Sequence, residues 1–194
     1  MGAAFGLAAT FWIILPVWAL AYLDTRKSGF FTQKRVGKGG LIFKVVKIRT
    51  MRDVPGIRST ITTKGDQRIT KLGQFWRRTK IDELPQLINV LKGEMSFVGP
   101  RPDVPGYADV LKGDERLLLS VRPGITGPAT LKYRDEETLL ARQNDPVGYN
   151  NDILWPDKMR LNLEYLENWS FWSDLAFIGK TLLPTKGEQA KGPL

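Results

Sequence analysis

GAAFGLAATFWIILPVWALAYL, residues 2–23, contains no charged side chain. Wound as one α-helix at about 1.5 Å per residue, it reaches roughly 30 Å, the thickness of a bilayer's hydrocarbon core. Trp12, Trp18 and Tyr22 suit the aromatic belt at a membrane surface, and Arg26 and Lys27 follow directly, which assigns the rest of the chain to the cytoplasmic side. A secretory signal would need a basic start and a small-residue cleavage site, and neither is evident. A buried core helix is the competing reading, because alanine and glycine are frequent here. Pro16 lies mid-segment, where it removes a ladder bond and clashes with the preceding turn. Two arrangements follow: a bent helix that spans, or a re-entrant helix-break-helix that dips into one leaflet and returns. Composition leaves both open.

The whole chain is basic. Across 194 residues, 29 lysines and arginines face 20 acids, a formal charge of +9. That surplus favours anionic partners: nucleic acid, nucleotides, phosphorylated substrates or anionic lipid. Cysteine and histidine are both absent, which excludes disulfide frameworks, thiolate and histidine zinc sites, and Ser-His or Cys-His catalysis. Any chemistry falls to carboxylates, basic groups and a hard metal ion with oxygen ligands.

After the apolar segment, Phe30–Val36 and Leu41–Ile48 flank Gly37-Lys38-Gly39-Gly40 and read as a β-hairpin with a glycine-rich turn. The turn lacks the spacing of a phosphate-binding P-loop. Residues 51–65 are polar and irregular, a loop. Met95–Pro105 and Val121–Pro128 are rich in glycine and proline and read as shaped, rigid loops. Ala108–Ser120 has helical spacing weakened by Gly113. Pro156–Trp169 reads as a helix, and Phe171–Leu183 is apolar and aromatic. Trp169, Phe171 and Trp172 suit either a core or a seat among lipid headgroups. Residues after Pro184 read as a loose tail.

Within this frame stands Arg77-Arg78-Thr79-Lys80-Ile81-Asp82-Glu83-Leu84-Pro85-Gln86-Leu87. Pro85 suits the first position of a helix running from Gln86 to Leu91, with Gly93 as its stop. That puts Asp82 and Glu83 at a helix N-terminus, where the dipole favours negative charge and free N–H groups can hold phosphate. An ionised aspartate can act as nucleophile, and an adjacent glutamate can hold a divalent cation. The competing reading is a plain helix-cap pair.

Three motifs stand together: Lys80-Ile81-Asp82-Glu83-Leu84-Pro85-Gln86-Leu87, Met95-Ser96-Phe97-Val98-Gly99-Pro100-Arg101-Pro102, and Val121-Arg122-Pro123-Gly124-Ile125-Thr126-Gly127. In this order and spacing the chain resembles the bacterial sugar transferase family, the monotopic phosphoglycosyl transferases, in their minimal single-domain form. The resemblance runs from about Phe30 to Leu183, with the apolar segment in register before it. It implies transfer of a phosphosugar from a UDP-sugar to a polyprenyl phosphate, usually undecaprenyl phosphate. The implied products are polyprenyl-diphosphate-sugar and UMP, the start of a surface glycan. It implies a ping-pong mechanism in which the residue matching Asp82 carries a covalent phosphosugar, while the one matching Glu83 binds Mg²⁺. By motif position it also implies phosphate-binding roles for Lys47, Arg77, Arg101 and Arg134, with Arg49 beside Lys47, and a membrane-helix break at Pro16. The family's usual Ser-Pro at that break is Leu15-Pro16 here, and its basic, Asp-containing start does not precede the apolar segment.

The expected fold is therefore α+β and mostly helical: a kinked re-entrant membrane helix over 1–23, a catalytic domain over 24–184 with a β-hairpin among helices and amphipathic interfacial helices, and a flexible tail over 185–194. The expected location is the cytoplasmic face of the bacterial inner membrane, monotopic, with membrane lipids as partners and no nucleic acid. A homo-oligomer or downstream glycosyltransferases are the protein partners the resemblance allows. Sugar specificity is expected in Leu131–Trp155, where Tyr133, Arg134 and Asp135–Tyr149 offer polar contacts. The alternative is a membrane-tethered basic binding or scaffold protein without turnover.

Overall fold

The computed structural model describes residues 2–56 and 62–183. The expected tail over 185–194 lies outside the described residues, as does part of the 51–65 loop. Helix α1 runs unbroken from Gly2 to Thr25, two residues beyond the apolar stretch, and Arg26 ends it at a left-handed φ of 57°. Pro16 sits inside this continuous helix as a point of missing backbone bonding and does not divide it.

The hairpin forms where the alternation of the sequence places it. β1 (Phe30–Val36) pairs antiparallel with β2 (Ile42–Ile48), with Phe30 opposite Ile48 and Val36 opposite Ile42. On β2 the side chains of Phe43, Val45 and Ile48 are buried. Next comes α2 (Lys71–Thr79), capped by the Thr70 hydroxyl, which accepts from Gly73 N. Lys80, at φ 59°, then turns the chain into a 3₁₀ segment, Ile81–Gln86, that leads into α3 (Leu87–Leu91).

The two Gly-Pro loops do more than shape the surface. β3 (Ser96–Val98) and β4 (Gly124–Thr126) lie in the middle of these loops and form a two-stranded parallel ladder. The backbones meet so closely that a Cβ on Gly124 would stand 2.2 Å from Gly99 N, so no larger residue fits there. Short helices follow: α4 (Pro128–Lys132), α5 (Glu136–Leu140) and α6 (Pro146–Tyr149). A wide turn over Asn150–Leu154 then feeds α7 (Trp155–Glu167), and α8 (Phe171–Leu182) closes the described chain. Ala108–Ser120 is not one helix. It forms two 3₁₀ pieces, Ala108–Val110 and Gly113–Ser120, because the backbone leaves the helical region at Leu111 (ψ 144°) and Lys112 (ψ 164°) between them.

The fold is α+β and mostly helical, and its interior is several small clusters. One joins α1 to the body through Ile14, Ala21, Ile48 and Trp76. Another packs Phe43, Val45 and Met95, and a third gathers Val36, Leu111, Leu118, Leu119 and Met159. The fourth holds Tyr133, Leu140 and Leu154. A cavity of about 1210 Å³ opens among them, lined from β1, β2, α2, the 3₁₀ segment and α7. Helix α1 touches the body along its whole length: Gly2 lies against Phe97, Gly6 against Leu87, and Trp18 against Phe30. Its outer face exposes Phe5, Trp12, Leu15, Tyr22 and Leu23. Trp169, Phe171 and Trp172 are also exposed, so they do not belong to a core.

Candidate active site

Asp82 and Glu83 lie within the 3₁₀ segment and are both buried, at 5% and 8% exposure. Pro85 sits inside that segment and does not begin α3. The acids are therefore in the first turn of a tight 3₁₀ piece, not in front of a regular helix. Lys80 makes this possible: its left-handed backbone ends α2 and starts the 3₁₀ turn in one residue, a conformation that costs a non-glycine residue about 1 kcal/mol.

Asn89 fixes the segment against the hairpin. It is fully buried, accepts from Val46 N at 3.0 Å, and donates to Lys44 O at 2.8 Å and to Glu94 Oε2 at 2.7 Å. These bonds dock α3 on β2, so that Lys47, on the same strand, reaches the acid pair. A polar residue inside the apolar run Leu87-Ile88-Asn89-Val90-Leu91 was the available signal for this role, and sequence reasoning passed over it.

The two adjacent acids are treated in opposite ways. Glu83 Oε1 accepts from Lys47 Nζ at 2.9 Å and from Arg101 at 2.7 Å, and Oε2 lies 3.4 Å from the other Arg101 nitrogen. Burial opposes its charge, but Arg101 and Lys47 outweigh burial and hold the carboxyl well below its ordinary range. Asp82 makes no side-chain hydrogen bond among the described residues, and its Oδ1 is buried. Burial first, and the Glu83 charge second, push its pKa up to about 6. Lys47 is pulled down to about 8 by burial, against the attraction of Glu83. Arg101 is held still more firmly protonated by Glu83.

Not every expected residue converges on the pair. Arg77 lines the same cavity, and its charge favours ionised Asp82, but its guanidinium is paired with Glu137 and donates to Thr50 Oγ1 at 3.2 Å. Arg134 also lines the cavity, yet it donates to the carbonyls of Lys180 and Thr181 at the end of α8. Arg49 donates to Ser28 O and stacks over Phe31.

Two further charged residues belong to the site, and only proximity in the fold reveals them. Arg35 on β1 donates to Pro102 O at 3.0 Å and to Gln33 Oε1 at 2.7 Å. Burial, then the nearby Arg101 charge, lowers it to about 10. Asp103 is pushed up to about 6 by burial, against the pull of Lys158, Arg35 and Arg101. Among the described residues, thirteen lysines and arginines and seven acids line the cavity, an excess that suits an anionic ligand. No three acids cluster as a ready cation cage among the described residues.

The profile of the bacterial sugar transferase family matches residues 1–186. The chain is 37% identical over 180 residues to the sugar transferase EpsL of Bacillus subtilis, covering 93% of this chain and 81% of that one. It is 35% identical over 186 residues to the UDP-glucose:undecaprenyl-phosphate glucose-1-phosphate transferase of Caulobacter vibrioides, covering 91% of this chain and 64% of that one. With the galactosyl transferase CpsE of Streptococcus agalactiae, identity is 37% over 172 residues, covering 81% of this chain. The chain spans only 35% of the length of CpsE.

Proposed function

The chain belongs to the bacterial sugar transferase family, and on that premise we propose that it moves a phosphosugar from a UDP-sugar to undecaprenyl phosphate through a covalent intermediate on Asp82. The observation that carries this reading is the unequal treatment of two neighbouring acids. Glu83 is neutralised by Lys47 and Arg101, whereas Asp82 is buried with no partner among the described residues. A buried acceptor left unbonded costs about 1–3 kcal/mol, and a carboxylate without donors keeps its lone pairs free to attack. A scaffold without turnover would have no use for that penalty.

In the first half-reaction a carboxylate oxygen of Asp82 attacks the β-phosphorus. An Asp–O–P bond forms, the bond from that phosphorus to the bridging oxygen breaks, and UMP leaves with that oxygen. In the second, a phosphate oxygen of the polyprenyl phosphate attacks the same phosphorus and frees the Asp82 carboxylate. Lys47 and Arg101 hold Glu83 in place, and the basic cavity wall supports the diphosphate.

The residues also fit Mg²⁺ as a cofactor. This ion keeps several waters and is usually bound through one or two carboxylates plus substrate phosphates. Glu83 Oε2, only loosely held at 3.4 Å, and the unpartnered Asp82 Oδ1 are the oxygens that would hold it. Bound there, Mg²⁺ would neutralise charge on the diphosphate and on departing UMP.

The membrane reading draws support from α1. A spanning helix would carry Gly2 roughly 30 Å from the body, whereas Gly2 packs on Phe97. A monotopic seat on the cytoplasmic face, with the continuous helix lying in one leaflet rather than crossing, fits that contact and the exposed Phe5, Trp12 and Leu23. Exposed Trp172 and Leu182 on α8 and Phe75 on α2 add apolar surface at the headgroup level.

The test is to incubate the protein with Mg²⁺ and a panel of UDP-sugars carrying a radiolabel in the sugar, without lipid acceptor. Label should become bound to the protein as UMP is released, and undecaprenyl phosphate should then discharge it. Asp82→Asn should capture no label. Full turnover by a folded Asp82→Asn protein would refute the covalent step.

A further inference from the structure

A nucleotide-sugar whose phosphates meet Asp82 must place its rings elsewhere in the same cavity. We infer that Asp103, Thr130 and Asn162 form a subsite for a hydroxyl-bearing ring of the donor and decide which ring is accepted. The inference rests on the transferase reading and extends it to specificity.

Asn162, on α7, is 7% exposed, and its Oδ1 is buried without a partner among the described residues. The Thr130 hydroxyl, on α4, is likewise buried and unpartnered. Both residues line the cavity, and α4 packs on α7. Buried amides and hydroxyls are nearly always hydrogen-bonded in folded proteins, so two orphans on one cavity wall point to a partner that arrives with the ligand.

Asp103 supplies the charge. It lines the same cavity and makes no side-chain hydrogen bond among the described residues, although Lys158, Arg35 and Arg101 all act on it. Each of those cations is bonded to another acceptor. Lys158 Nζ holds Glu136 Oε1 at 2.7 Å, Arg35 holds Gln33 and Pro102, and Arg101 holds Glu83. Lys158 stands one helical turn from Asn162 on the same face of α7, and its charge also acts on Asp103.

The set is an anionic acceptor, an amide with donor and acceptor, and a hydroxyl. That chemistry reads ring hydroxyls, and a site built to bond a hydroxyl strongly rejects an analogue lacking it. Both the hexose and the ribose of a UDP-sugar present such hydroxyls. The expected specificity segment, Leu131–Trp155, contains none of these three residues.

The experiment uses the full chain in nanodiscs, with Asn162→Leu, Thr130→Val and Asp103→Asn as single variants. Asp103 is only half-buried, so its variant tests the inference even if a core substitution fails to fold. UMP release is measured over UDP-sugars that differ at single hydroxyls, together with inhibition by added UMP. For a hexose subsite, the ratio of rates between sugars shifts by about tenfold or more while inhibition by UMP is unchanged. For a ribose subsite, inhibition by UMP weakens and the ratios stay constant. If the wild type turns over and both readouts stay at wild-type values in the variants, the wall holds only ordered water and the subsite is overturned alone. If the wild type releases no UMP from any UDP-sugar, the transferase reading falls and the subsite falls with it.

Discussion

Replacing Asp82 by asparagine should stabilise the protein while removing its chemistry. A carboxyl whose pKa stands at about 6 rather than 3.8 carries a penalty of about 3 kcal/mol in its ionised form. Because the folded-state value is raised, the protonated form's advantage is fully present below the unfolded value near 4. It is lost as pH rises through about 6. Asparagine keeps the shape and never carries the charge, so the penalty disappears. For a chain of this size, about 3 kcal/mol corresponds to a melting temperature higher by about 6–12 °C. The assay is thermal melting of wild type and Asp82→Asn in detergent with a chelator present, from about pH 4 to about pH 7.5. The variant should melt higher at the neutral end, with the gap closing as the pH falls. A variant that melts at or below wild type near neutrality, or a gap that ignores pH, would show that buried charge at Asp82 is not the source of strain.

Three other outcomes are expected. UMP release should follow a bell-shaped pH profile: it rises as Asp82 ionises through about 6 and falls as Lys47 loses its proton through about 8. Lys47→Arg should carry the alkaline limb upward if it retains activity, and an unmoved limb would assign that limb to another group. Asn89→Leu should lower stability by about 3 kcal/mol, because the Val46 N–H and Lys44 carbonyl lose their buried partner; a melting temperature within error of wild type would contradict that. Chelation of Mg²⁺ should abolish UMP release while leaving the melting temperature of the substrate-free protein nearly unchanged, as expected of an ion that donor phosphates would largely hold. Chelator-resistant turnover would refute the cofactor.

The hairpin was legible in the sequence to within one residue, because alternating burial and a glycine turn are local signals. Asp103, Arg35, Thr130 and Asn162 were not, since each is an ordinary polar residue until distant segments bring it to a shared cavity. Ala108–Ser120 misled for the opposite reason: helical spacing was present, but the non-helical backbone of Leu111 and Lys112 broke it. Arg77 and Arg134 were placed by motif near the phosphates, and the fold turns their guanidinium groups to Glu137 and to the end of α8.

The sequence by itself determined the chemistry available to this chain. Without histidine or cysteine, catalysis is left to carboxylates and cations, and residues 2–23 are long and apolar enough to cross a membrane. Only the tertiary structure decided that Glu83 is the ion-paired acid and Asp82 the buried acid without a partner among the described residues. The two are adjacent and chemically alike, and no local rule separates them. What separates them is the arrival of Lys47 from β2 and Arg101 from the loop after β3 on one carboxylate, 36 and 18 residues away in the chain. In a buried site that contact makes one acid an ion-paired anchor and leaves its neighbour without a partner.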